Sequence, residues 1–250
     1  MISGWILALL WGLVAGSALL IGALIAYYLK VSARIVAAIM AFGAGVLLSA
    51  ISLELMEESF SLGGYNNMVF GFLIGAIIFT AINFYLSRKG ARHRKRSGDQ
   101  LKSCSEDSNS LAIAAGSVID GIPESIAIGL TIITGGAVSI ATVVAIFISN
   151  IPEGLSSTAG LKKAGWNLKS IFSLWITITV ISGIASLSGY AIFSQLPESV
   201  ISFTLALAAG GILAMLIDTM IPEAFSETHD MAGLITVLGF IVSFILSKLG

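Results

Sequence analysis

Charge is what this chain has least of. Of its 250 residues only 11% are Asp, Glu, Lys or Arg, while 56% are hydrophobic and the mean hydropathy is +0.98. A water-soluble domain could not cover itself with so little polar surface, which excludes that class and leaves a chain solvated by lipid. The single cysteine, Cys104, excludes an internal disulfide and says nothing about redox compartment. His93 and Cys104 cannot complete a tetrahedral metal centre by themselves. No Lys or Arg falls in the central part of any apolar run, so an acid buried there has no internal cation to neutralise it. At a formal net charge of −1, no nucleic-acid partner is expected.

What the chain has instead is apolar length. Runs of about 20 residues, enough to cross roughly 30 Å of hydrocarbon, recur at 4–28, 35–57, 66–87, 110–134, 137–161, 168–193, 200–222 and 231–248. They predict an all-α polytopic membrane protein of eight transmembrane helices, folded as a single transmembrane domain over 1–250. The first run lacks a basic leader and a persuasive cleavage site before Tyr27 and Tyr28, so it reads as a span rather than a signal peptide. All but one of the 13 basic residues fall in the loops after spans 1, 3 and 5, which share one side of an eight-helix chain. Basic loops stay in the cytoplasm. That puts both termini outside, in a plasma or inner membrane, and makes 88–109 a cytoplasmic loop whose cations set the topology.

Ionisable residues inside spans cost several kcal/mol at the bilayer centre and persist where they are paired or useful. Asp120 and Glu124 lie four apart in span 4, on one helix face and one turn from each other. Span 5 repeats the device 29 residues on. Both carry the core I-x-x-I-P-E, Ile119 to Glu124 and Ile148 to Glu153, with Ser149 and Asn150 opposite Asp120 and Gly121. Consecutive spans run antiparallel, so the two motifs are expected to meet at similar depth, in the manner of an inverted-repeat transporter. Pro123 and Pro152 each remove a backbone N–H and free the carbonyls of Ile119 and Ile148. Carboxylates beside free carbonyls make an oxygen-rich cage suited to a cation shedding its water.

Span 7 holds Asp218 and Glu223, and span 2 holds Glu54 and Glu57. At an offset of 166 residues Gly45 meets Gly211, Leu47 meets Leu213 and Glu57 meets Glu223, which relates spans 1 to 3 to spans 6 to 8 around the 4 and 5 pair. Asp218 and Glu54 read as gate or pathway residues, whereas Glu57, Glu58 and Glu223 are expected near the membrane surfaces. An intramembrane aspartyl protease using Asp120 and Asp218 would leave Glu124 and Glu153 unexplained, and no catalytic role is expected. A carrier of small organic cations would want aromatics that spans 4 and 5 lack, apart from Phe147. A membrane metal sensor that does not transport remains the other alternative.

With these motifs the chain resembles the ZIP family of divalent metal transporters along essentially its full length. The family has eight helices, both ends outside, a variable loop after helix 3, and an H-N-x-P-E-G motif in helix 4. The resemblance implies that Glu124 and Glu153 are metal-bridging glutamates, that Asp120 stands for the helix 4 histidine, and that Ser149 and Asn150 occupy the variable ligand positions of helix 5. Asp218 falls where many members carry a pathway histidine. Gly121 replaces the usual Asn, and Ser186 replaces the helix 6 glutamate of S-G-x-x-E-P-x-G. Those departures favour one metal over two. Zinc is the family default, and a shell of oxygen donors without imidazole shifts preference toward manganese or iron(II). The metal is the transported substrate, no prosthetic group is implied, and family members form homodimers.

Overall fold

The computed structural model describes residues 3–88, 106–135 and 138–249. Most of the expected cytoplasmic loop, including His93 and Cys104, lies outside the described residues. The chain is helical almost throughout: α1 (Gly4–Tyr28), α2 (Ala33–Ala50), α3 (Met56–Arg88), α4 (Glu106–Gly135), α5 (Ile140–Lys163), α6 (Leu168–Phe193), α7 (Glu198–Met215), α8 (Ile221–Thr228) and α9 (Ala232–Leu249). Several starts are fixed by side-chain caps. The Ser139 hydroxyl accepts from the Thr142 N–H at 3.1 Å, and the Asn167 side-chain oxygen accepts from the Ser170 N–H at 2.9 Å, satisfying donors that a helix start leaves unpaired.

Six described helices are long and apolar enough to cross a membrane, as in a helical membrane protein. Two of them, Ala33–Arg88 at 56 residues and Glu198–Lys248 at 51, continue through places where the sequence predicted breaks between spans. Within spans 2 and 7 the helix passes through π-helical turns at Ile51–Leu55 and Leu216–Met220. The backbone departs from right-handed geometry farther on, at Gly64 (φ 69°) and His229 (φ 45°). Span 2 therefore extends past 57, span 7 past 222, and α4 begins at Glu106 rather than 110.

The two long helices share a plan. Each has an 18-residue helix, a five-residue π turn, eight helical residues and then one residue of positive φ. Gly64 and His229 are 165 residues apart, one fewer than the 166 read from sequence, so Glu58 rather than Glu57 is the counterpart of Glu223. Packing follows the same plan: Gly45 of α2 lies against the backbone of Thr236 in α9, and Gly210 of α7 lies against the backbone of Phe72 in α3. Beyond Gly64, α3 runs in the same direction as α7, with Gly71 on Phe203, Gly75 on Leu207 and Asn83 reaching Asp218.

The helices sort into two groups by their main contacts. In one, α1 packs on α5 and α6, and α4 packs on α6; in the other, α3 packs on α7, and α2 on α9 and α8. The interfaces between groups are chiefly α2 with α5 and α4 with α7. Polarity is distributed inside out. Ile77, Phe70 and Leu234 are more than half exposed, while Ser156, Ser157 and Thr158 of α5 are buried. Such a surface suits hydrocarbon, where association relies on close packing at small residues rather than on the hydrophobic effect.

A side chain at Gly75 would collide with the Leu207 carbonyl, whereas Gly233 has nothing within 4 Å. Gly75→Val is expected to lower stability by roughly 1–3 kcal/mol and Gly233→Ala to leave it unchanged, as read by thermal unfolding in detergent.

Candidate ion site around the buried acids

Five residues singled out by sequence are all removed from the surface: Asp120 (1% exposed), Glu124 (2%), Ser149 (2%), Asn150 (6%) and Glu153 (4%). The first two share a face of α4, and the last three belong to the middle of α5. Burial this deep disfavours the charged form of each acid unless the fold or a cation compensates. Asp120, Glu124 and Glu153 each take part in polar interactions within the fold.

The two motifs do not close on one another in the way their antiparallel spacing suggested. Contacts between α4 and α5 are sparse, because α4 leans on α6 while α5 is held between α1 and α2. Glycines decide this. Gly129 lies against the backbone of Ser186 in α6, Gly154 against Leu19 in α1, and Gly43 of α2 against Ser149. Among the described residues no three His, Cys, Asp or Glu side chains gather into a group that could hold a metal ion. A cation here would also need amide, hydroxyl and carbonyl oxygens.

Those oxygens surround α5. The Asn150 side-chain N–H donates to the Ala15 carbonyl of α1 at 3.1 Å, which commits its nitrogen and leaves Oδ1 as the acceptor. The Ser149 hydroxyl donates to the Ile146 carbonyl at 2.9 Å. Pro152 lies inside α5 and cannot donate to the Ile148 carbonyl. That carbonyl oxygen is 3.7 Å from the point where a Cβ on Gly43 would stand, so the glycine itself puts no side chain over it. Sequence reasoning missed Gly43, which reads as one more small packing residue until its neighbour is known. Ser182 of α6 was missed too; its hydroxyl is 3.7 Å from where a Cβ on Gly121 would be, on the turn that carries Asp120.

The three residues that sequence suggested for a gate or pathway, Glu54, Asp218 and Ser186, stand apart. Glu54, in the π turn after α2, accepts a hydrogen bond at 2.7 Å from the hydroxyl of Ser139, the N-cap of α5. Asp218, in the matching π turn after α7, is exposed and accepts from the Asn83 side chain at 3.1 Å. Ser186 is fully buried where α1 and α4 meet α6, against Gly12 and Gly129, and its hydroxyl has no partner among the described residues. Glu223, expected near a membrane surface, is 5% exposed inside the first turn of α8. His229, the one described histidine, stacks edge-on to Phe225 at 6.1 Å.

No protein-family model and no curated protein matches this sequence.

Pro152→Ala would restore the amide that can bond to the Ile148 carbonyl. The expected outcome is a gain in stability of up to about 3 kcal/mol together with a smaller rise in melting temperature on adding manganese. An unchanged manganese effect would assign the proline to packing alone.

Proposed function

We propose that the chain transports divalent metal cations across a membrane, through an oxygen-lined site served by Asp120, Glu124, Ser149, Asn150 and Glu153. The observation that carries this reading is the burial of three acids, an amide and a hydroxyl in two repeated I-x-x-I-P-E motifs, inside a bundle whose surface is apolar. Acids in such a setting mark ion pathways far more often than packing. The resemblance of these motifs to the ZIP family supports the same reading.

Eight crossings fit better than six. A 56-residue helix would measure about 84 Å at 1.5 Å per residue, well beyond one bilayer. Positive φ at Gly64 and His229 can supply the two additional reversals, and the parallel run of α3 and α7 agrees with eight crossings, in which both are odd-numbered spans. The matching plan of the two long helices supports an inverted repeat of spans 1 to 3 and 6 to 8. In this scheme α1, α4, α5 and α6 move against the other helices, Glu54 closes the outer approach, Asp218 serves the inner one, and Ser186 lies along the moving interface.

One metal is bound at a time, and its shell is completed as α4 and α5 approach during transport. Zinc is the family default; the oxygen donors suit manganese and iron(II) as well. The protein works as a homodimer in a plasma or inner membrane, and performs no catalysis.

Uptake into proteoliposomes tests the reading with zinc, manganese, iron(II) and cadmium in turn. Flux of at least one ion is expected, falling to the level of empty vesicles in the double variant Glu124→Ala, Glu153→Ala. A folded protein that binds metal but moves none at any pH would instead be a membrane metal sensor.

A further inference from the structure

A cavity of 510 Å³ opens at the end of the bundle where α2 passes into α3. Glu54, Glu57 and Glu58 line it from that junction, Ala141 from the start of α5, and Leu246 from α9. What lies beneath it is unusual. Among the described residues four buried hydroxyls have no hydrogen-bond partner, and three of them, Ser49, Thr142 and Ser243, sit near the cavity ends of α2, α5 and α9. All three residues are at most 1% exposed.

Register places them at one level, within about a turn of residues that line the cavity. On α2 and α9 the cavity is at the C-terminal end, so deeper positions come earlier: Ser49 is one turn below Leu53, and Ser243 one turn below Leu246. On α5 the cavity is at the N-terminal end, so Thr142 follows Ala141 inward. The helices are in contact with one another, Gly43 of α2 against Ser149 of α5 and Gly45 of α2 against Thr236 of α9. Along α5 the same face continues from Thr142 to Ser149 and Glu153, at intervals of seven and four residues.

Hydroxyls in apolar helices normally bond back to a carbonyl one turn earlier. Here Ser52 of the same long helix donates to Leu48 at 2.8 Å, and Thr236 of α9 donates to Ala232 at 2.9 Å. Ser49, Thr142 and Ser243 forgo that bond. A buried polar group without a partner is unfavourable, and native structures resolve it with water or an ion.

We propose that Ser49, Thr142 and Ser243 line a wet passage by which a hydrated divalent cation descends from the acid-lined cavity to Ser149 and Glu153. The proposal rests on the transport reading and adds its outer route. The acids concentrate the cation at the mouth, and the hydroxyl oxygens stand in for part of its water shell on the way down.

Cysteine accessibility tests it in the full chain, reconstituted in vesicles with Cys104→Ser as background. Ser49→Cys, Thr142→Cys and Ser243→Cys are exposed one at a time to a charged, membrane-impermeant thiol reagent, with Glu57→Cys at the cavity as positive control and Val46→Cys as buried control. The three variants are expected to react at least about tenfold faster than Val46→Cys, because reagent and thiolate must meet in water. Their adducts are expected to abolish manganese uptake.

No reaction at the three positions while Glu57→Cys reacts and uptake persists would defeat the passage and leave the transport reading standing. Reaction without any loss of uptake would place the route elsewhere and also defeat it. If the native protein carries no ion, the transport reading fails together with the cation route, while fast labelling would show only a water-filled cleft.

Discussion

Carboxylates inside a lipid-facing bundle are the constraint on which the rest of the structure depends. Hydrocarbon offers neither hydrogen bonds nor counter-ions, so Asp120, Glu124 and Glu153 can exist at that depth only if the fold turns them inward and keeps Ile, Leu and Phe outside. Once polar groups hold the interior, large apolar side chains cannot also fill it. Helices must then close on small residues, and Gly129, Gly154 and Gly43 bring α6, α1 and α2 against the elements that bear the acids.

Two groups of helices meet at that interior. The acids of α4 and α5 belong to one group, and the π turns carrying Glu54 and Asp218 belong to the other. A π turn widens a helix locally, which gives each long helix a place to present a polar side chain without ending. The recurrence of the same lengths before Gly64 and before His229 means that one structural solution is used twice, with a glycine in one copy and a strained histidine in the other. Contact between α4 and α5 is sparse, so each acid motif is held chiefly by other helices, the first by α6 and the second by α1 and α2.

Much of the fold was legible in the sequence. Hydropathy exposed the apolar helices, and the I-x-x-I-P-E core singled out five residues that prove to be buried, each in the middle of its helix, although the two motifs do not close on one another. Boundaries were less legible. Apolar content does not reveal where a helix bends, so the continuation of the helices past 57 and past 222, as far as Gly64 and His229, was hidden, and the two long helices match at an offset of 165 rather than 166 residues. The burial of Asp218 and Glu223 was not legible for a related reason. A residue's position along a span fixes its depth, whereas its exposure depends on which neighbour covers that face of the helix.

By itself, the sequence determined that the chain is helical, apolar and built around a few ionisable residues, since those properties follow from composition and local spacing. Only the tertiary structure decided which oxygens accompany the acids. Gly43 beside the Ile148 carbonyl, Asn150 tied to Ala15, and the unpartnered hydroxyls of Ser49, Thr142 and Ser243 on three helices are all relations between segments far apart in the chain. They depend on how helices rotate and slide against one another, and close backbone approach at glycine fixes that only when the bundle assembles.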